Sequence, residues 1–201
     1  MSVSSAAVHA PSAVRAGRAV GAMFFSVFGT VWLGGADIVA RGGIDWTLVP
    51  VITAGLLLLA TALRRFQANR CARAAEERTA RSRRIARVFH WVNGGQWVLA
   101  IVLANVLRNT GLGEWVVPMV IAVVGLHFLP LGAVMAYRPH YASGVALMLL
   151  AAVFPFVASG GPQSAVGPLG AGLILWASAI HALSARAPAT SDTTAPQPAV
   201  A

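Results

Sequence analysis

Long runs of apolar residues, separated by short polar or arginine-containing segments, constrain this chain more than any other feature. A helix that crosses a bilayer needs about 20 mostly apolar residues. Six runs approach that length, over residues 19–40, 46–63, 88–107, 115–136, 141–158 and 168–184. Apolar residues make up 57% of the chain and charged residues only 10%, which is unlike a soluble domain. The sequence therefore predicts an all-α polytopic membrane protein with six transmembrane helices.

The arginines predict how these helices are threaded, because positively charged loops remain on the cytoplasmic side. With the N-terminus inside, 13 of the 15 arginines are cytoplasmic, and six spans place the C-terminus inside as well. Residues 1–18 are then a cytoplasmic tail, 19–184 the membrane domain and 185–201 a disordered tail rich in alanine, proline and threonine. The first run exceeds the core of a signal peptide, so we expect it to be retained. Arginine without lysine, together with abundant alanine, favours a bacterial inner membrane.

The cytoplasmic loop over residues 64–87 carries nine arginines and two glutamates. Mostly this charge is a topology signal, and it also attracts anionic lipid headgroups. Docking to an acidic partner is the alternative. Nucleic acid is not an expected partner, since the arginines lie beside runs of Leu, Val and Ala instead of on a soluble surface. The candidate lipid or partner contacts are Arg64, Arg65, Arg81, Arg83, Arg84 and Arg87.

The fourth run places His127 and Pro130 near the bilayer centre. Pro130 cannot donate a backbone hydrogen bond, so we expect a kink that leaves the carbonyl of Leu126 in need of another partner. An ionisable side chain at this depth is a functional-site hypothesis by default. The alternative is that neutral His127 hydrogen-bonds a neighbouring helix and only fixes the packing.

The third run supplies polar side chains that could meet His127. His90 and Asn93 share one helical face, Gln96 flanks it, and Gly94 and Gly95 allow close approach of another backbone. Together with His127 they could line a small polar cavity between helices 3 and 4 that binds a polar solute. The same amides could equally hold helices together without any ligand.

Two further features bear on packing and assembly. Asp37 lies near the outer end of the first apolar run, where it could gate a proton or cation. Arg41, four residues later, is correctly spaced to form an ion pair with it, and we favour this ion pair. Gly17 and Gly21 form a small-xxx-small pair that could seat a second copy of the chain in a homo-oligomer.

Several kinds of chemistry lack their usual signatures. The sequence contains no GxxxxGK[ST], HExxH, GxSxG or CxxCH motif, and the single cysteine, Cys71, excludes an internal disulfide framework. We expect no cofactor and no metal, and an enzyme is disfavoured.

The segment from Gly125 to Leu131, with the sequence GLHFLPL, and Asn93, Gln96 and Trp97 in the preceding helix together resemble a group of small bacterial integral membrane proteins with no assigned activity. The resemblance covers the third and fourth runs, about a quarter of the chain. It implies that these two helices form a recurring unit, and it carries no catalytic or binding role.

Two functional hypotheses follow. The first is a non-catalytic membrane component with an assembly, lipid-organising or regulatory role. The second is a small-solute transporter or permease with a cavity centred on His127. Under the first hypothesis, substitution of the arginines should impair function more than substitution of His127. Under the second hypothesis, substitution of His127 should have the larger effect.

Overall fold

A computed structural model describes residues 4–76, 80–135 and 137–185, and it is helical throughout with no strand in those ranges. The helices are α1 (Ser4–Arg41), α2 (Leu48–Glu76), α3 (Ala80–Asn109), α4 (Val116–Met135), α5 (Arg138–Val157) and α6 (Val166–Ser184). Short 3₁₀ helices at Gly113–Trp115 and Gly161–Gln163 precede α4 and α6. The all-helical prediction is confirmed.

Five of these helices, all except α3, are long and apolar enough to cross a membrane. The α3 helix has sufficient length, but its polar side chains, among them His90, Asn93, Gln96 and Asn105, lower its mean hydropathy. The architecture is therefore that of a membrane protein, in which five of the described helices have the length and composition of membrane-spanning helices.

The helices extend beyond the predicted runs. The first begins at Ser4, well before residue 19, because the alanines that precede the apolar run have high helix propensity. Most of the arginine-rich loop is also helical, since α2 continues to Glu76 and α3 begins at Ala80. The predicted disordered tail lies, apart from Ala185, outside the described residues.

The core lies where α1, α4, α5 and α6 meet. Its large side chains belong to all four helices and are almost fully buried, and they include Phe25, Ile121, Leu147, Phe154 and Leu175. By contrast, only 11% of the α2 span is buried, compared with 39% of the α1 span. The α2 helix packs on α1, and α3 packs on α4. These two helices therefore form the periphery of the bundle.

Glycines allow the core helices to approach closely. A Cβ atom on Gly125 would lie 2.8 Å from the carbonyl oxygen of Gly144, and a Cβ on Gly144 would lie 2.8 Å from that of Gly125. A Cβ on Gly172 would lie 2.9 Å from the carbonyl oxygen of Gly29. The α4–α5 and α1–α6 crossings are thus backbone-to-backbone contacts that any larger residue would obstruct.

Arginines of α1 and α2 contact the C-terminal end of α6, in a region of the bundle that we call the basic end. Arg18 of α1 donates a 3.1 Å hydrogen bond to the carbonyl of Ala185, just after α6, and Arg65 of α2 donates to the carbonyl of Leu183. The last carbonyls of a helix have no partner within the helix and carry partial negative charge. The two arginines therefore cap α6 and hold its end against α1 and α2.

Candidate functional site

His127 lies in the middle of α4 and faces α3. Its ring lies close to the backbone of Val92 in α3. The other face of α4 places Phe128 in the core, with its ring 5.6 Å from that of His127. The Nδ1 atom of His127 is buried and has no hydrogen-bond partner among the described residues. This nitrogen could accept or donate one further hydrogen bond to a water molecule or a small ligand.

Asn93 and Gln96 lie on the half-buried side of α3, near Val92 in sequence. No hydrogen bond joins either amide to His127 in the part of the chain that the structure describes. The structure thus places three of the predicted cavity residues on facing helices without connecting them directly. Pro130, one turn beyond His127, is exposed, and α4 continues across it to Met135.

His90 lies on a different side of α3 from Gln96. Its side chain is exposed, its Nδ1 atom is 2.6 Å from the carbonyl oxygen of Ala86 in the same helix, and its ring is near that of Phe89. Together with Trp91, His90 lines an open groove on the surface of α3. His90 therefore faces the groove, whereas Asn93, Gln96 and His127 are half-buried.

This groove, which we call the α3 groove, has a volume of about 980 Å³ and is lined by a single helix. Its floor is Gly94 and Gly95, where an added Cβ atom would meet nothing within 4 Å. Its sides are apolar, and Trp91 is 77% exposed. The lining residues are Arg87, His90, Trp91, Gly94, Gly95, Val98, Leu99 and Val102. His90 was a predicted site residue, but the groove itself was not predicted. Its signal in the sequence is the pair Gly94 and Gly95 between apolar residues.

The predicted arginine contacts fall into two groups. Arg65 caps α6 at the basic end, although its side chain is largely exposed. The side chains of Arg64, Arg83, Arg84 and Arg87 are also exposed. The side chain of Arg81 lies outside those that the structure describes. Arg87 also lines the α3 groove, so its charge lies beside the apolar residues of α3.

A cluster of aromatic rings surrounds His140, a residue that the sequence analysis did not single out. The ring of His140 stacks on Phe128 at 5.8 Å and makes edge contacts with Phe25 at 5.9 Å and Tyr137 at 5.0 Å. His140 lies in the first turn of α5 and is buried. In the sequence, His140 lies between two tyrosines and directly follows an Arg–Pro pair. Proline is typical of the first position of a helix, and this helix start brings the His140 ring back into the bundle.

Tyr137 links this cluster to the basic end. The guanidinium carbon of Arg18 is 5.7 Å from the centre of the Tyr137 ring, a cation–π arrangement. The Tyr137 hydroxyl is buried without a hydrogen-bond partner among the described residues. Burial raises the pKa of this hydroxyl, and the positive charge of Arg18 partly opposes the effect. Tyr137 therefore remains neutral well into the alkaline range.

Asp37 belongs to a small polar group at the end of the bundle opposite the basic end. The Nε atom of Arg41 is 3.1 Å from its Oδ1, and the hydroxyl of Thr47 donates a 2.7 Å hydrogen bond to its Oδ2. Asp45 lies 3.9 Å from the Arg41 guanidinium. Both carboxylate oxygens of Asp37 therefore have local partners, which connect the end of α1 to the start of α2.

Gly17 and Gly21 both remain accessible to a second copy of the chain. Gly17 is exposed, and an added Cβ atom on Gly21 would meet nothing within 4 Å. No group of three or more His, Cys, Asp or Glu side chains that could hold a metal ion occurs among the described residues.

Comparison of the chain with protein-family models, with curated proteins and with solved structures finds no match in any of the three.

Proposed function

We propose that this protein is a non-catalytic component of a bacterial inner membrane, with an assembly, lipid-organising or regulatory role. It acts by contact along the α3 groove and the neighbouring basic end. The observation that supports this most is the groove itself, because it combines an open glycine floor, a 77% exposed Trp91 and the charged Arg87 on a helix that the rest of the bundle leaves half uncovered.

The proposal includes six spans with both termini cytoplasmic. Its support is the distribution of polar and apolar side chains on α3. On the surface of a soluble protein a helix exposes its polar side, whereas α3 exposes its apolar side. Asn93 and Gln96 lie on the half-buried side, whereas Trp91, Val98 and Ile101 are exposed by 77, 63 and 57%. Such apolar exposure is favourable in lipid and unfavourable in water. The length of α3, 30 residues or about 45 Å, is sufficient to cross the bilayer.

The hydrogen bonds of the core support a packing role for its polar groups. Ser26 and Thr30 donate to carbonyls one turn earlier in α1, and Trp176 of α6 donates to the Thr30 hydroxyl at 3.3 Å. Ser143 and Ser178 join α5 to α6 at 2.8 Å. The Trp176–Thr30 and Ser143–Ser178 bonds are interhelical contacts of the kind by which membrane helices associate.

A second candidate function is transport of a small polar solute through a site centred on His127. One observation favours it, the buried Nδ1 atom of His127 without a partner among the described residues. A solute or a bound water would complete its hydrogen bonding.

Native mass spectrometry of the purified protein distinguishes the two functions. The samples are the wild type, His127→Ala and the double variant Arg84→Gln/Arg87→Gln, with a reporter fused to the C-terminus to verify unchanged topology. We expect the wild type and His127→Ala to carry the same bound molecules, and the double variant to carry less lipid. A small solute that is retained by the wild type and lost in His127→Ala would overturn the proposal in favour of transport.

A further inference from the structure

The two sides of α3 have different neighbours. On one side, Phe89 meets Phe24 of α1 with a ring separation of 6.2 Å, and the backbone of Val92 meets His127 of α4. The other side is the α3 groove, where the nearest atoms to a Cβ added at Gly94 or Gly95 are more than 4 Å away. A helix advances about 100° per residue, which places Arg87, Gly94 and Val98 of the groove nearly opposite Phe89 and Val92. The groove is thus the side of α3 that meets the surrounding medium.

Positive charge is concentrated at one end of this groove. Arg87 lines it, and Arg84 is exposed three residues earlier, on the same side of the helix. His90 adds a polar ring between Arg87 and the first glycine. In the proposed topology these residues lie at the cytoplasmic surface of the bilayer, where lipid phosphates lie. The charges therefore complement an anionic headgroup.

The apolar part of the groove has the length of an acyl chain in one leaflet. From Trp91 to Val102, α3 rises about 17 Å, and half of a bilayer's hydrocarbon core is about 15 Å thick. Gly94 and Gly95 remove side-chain bulk directly below the charged end. Trp91, 77% exposed, lies at the depth at which tryptophan rings border the headgroup region.

We propose that the α3 groove is a binding site for one anionic phospholipid. The phosphate is held by Arg84 and Arg87, and one acyl chain lies in the glycine notch and continues along Val98 and Val102. This inference rests on the proposed function and specifies its ligand.

The charges favour a lipid over a second copy of the chain in this groove. In a two-fold symmetric dimer each interface residue faces the equivalent surface of its partner. A parallel pair of α3 helices would bring two copies of Arg84 and Arg87 together at one end of the interface. Such like-charge contacts oppose association, whereas a lipid phosphate neutralises the same arginines.

The experiment is a lipid titration of the full-length purified protein, followed by native mass spectrometry. Phosphatidylglycerol and phosphatidylcholine with identical acyl chains are the two probes. We expect one phosphatidylglycerol to bind first, with at least a fivefold preference over phosphatidylcholine. The substitution Arg87→Gln should weaken this first binding about fivefold, the equivalent of about 1 kcal/mol for one basic residue near an anionic surface.

Two matched controls test whether the site is discrete. Arg70→Gln removes the same charge from an exposed arginine of α2, and it should leave the first binding step unchanged. Gly94→Leu/Gly95→Leu adds side chains to the notch, where an added Cβ atom meets nothing within 4 Å, and it should weaken the first step at least fivefold. Ala60→Leu/Ala152→Leu adds the same bulk to exposed positions of α2 and α5 and should have no effect. Thermal midpoints of all variants should be at least as high as that of the wild type, which verifies folding.

The remaining outcomes separate failure of this inference from failure of the proposed function. An equal loss in Arg70→Gln and Arg87→Gln would show general headgroup attraction and overturn the discrete site, while the proposed function stands. A change of oligomeric state in Gly94→Leu/Gly95→Leu without any change in lipid binding would make the groove an interface between copies. Competition by soluble glycerol phosphate would contradict the role of the acyl chain. A small solute lost only in His127→Ala would contradict the proposed function itself.

Discussion

The α4–α5 crossing and the α3 groove both depend on glycines, but the surroundings of those glycines are opposite. Gly125 and Gly144 lie backbone to backbone, so that a Cβ atom on either would be 2.8 Å from the other's carbonyl oxygen. Gly94 and Gly95 face open space. All four lie inside long helices, where glycine is intrinsically unfavourable. At the crossing the close contact compensates for this cost, whereas no such contact reaches the α3 groove from the described residues. This difference is why we assign a ligand to the groove.

The largest expected effect is at the crossing. Gly144→Ala should lower the free energy of unfolding by about 1–3 kcal/mol, because the added methyl group overpacks a contact between two backbones. The measurement is thermal or denaturant-induced unfolding of the purified protein in detergent. The matched control, Gly95→Ala, should be neutral or stabilise the helix by up to about 1 kcal/mol. Equal destabilisation by both substitutions would contradict the contrast between the two regions.

The next effect concerns the arginine cap of α6. Arg18→Met should lower the free energy of unfolding by about 1.5–3 kcal/mol, because the carbonyl of Ala185 loses a charged hydrogen-bond donor. Arg15→Met removes the same charge one turn earlier from an exposed position and should change stability by less than about 0.5 kcal/mol. If the two variants unfold at the same midpoint, Arg18 contributes only its charge and the cap is unimportant.

A smaller effect is expected at the contact between Ser143 and Ser178. Ser178→Ala removes a 2.8 Å interhelical hydrogen bond, and such bonds contribute about 0.6 kcal/mol on average between membrane helices. Ser184→Ala is the control, since the Ser184 hydroxyl bonds only within α6 in the described structure. A double variant, Ser143→Ala/Ser178→Ala, should cost little more than Ser178→Ala if the interaction between the two hydroxyls is the main contribution.

The smallest effect at neutral pH should be that of Tyr137→Phe. The Tyr137 hydroxyl has no partner among the described residues, so its removal should change stability by less than about 0.5 kcal/mol. Above about pH 10, the ordinary pKa of tyrosine, the two proteins should diverge. Burial raises the pKa of Tyr137 in the folded state, so the folded protein binds more protons than the unfolded chain, and wild-type stability falls as the pH rises.

Unfolding measured from pH 8 to pH 11 tests this dependence. The wild type should lose stability above about pH 10, and Tyr137→Phe should lose less. Tyr141→Phe, at an exposed position, should retain the wild-type slope. If the stability of Tyr137→Phe falls with pH as steeply as that of the wild type, the alkaline loss of stability belongs to another group.

Much of the fold could be predicted from the sequence because the helices depend on local features. Apolar length, glycine and proline at the turns, and the arginines between runs are each visible in a short window of residues. The extension of α1 back to Ser4 and of α2 to Glu76 was less visible. Hydropathy marks where a helix meets lipid and carries no information on where its backbone hydrogen bonding stops.

The candidate site was less predictable, because it depends on which side of each helix finds a neighbour. Angular spacing put His90 and Asn93 on one face of α3, but it did not show that His90 lines an open groove while Asn93 is half-buried. His140 was missed because its surroundings come from Phe25 and Phe128 on two other helices. Periodicity shows which residues share a face, but it does not show what that face meets.

The sequence by itself determined that the chain is helical, that it belongs to a membrane and that its charge lies between its apolar runs, since all three follow from the free energy of transferring short segments into lipid. Only the tertiary structure decided which glycines close a helix crossing and which leave a groove. It also decided that Arg18 and Arg65 cap α6. Close packing and capping join residues far apart in the chain, and neither contact has a counterpart in local composition.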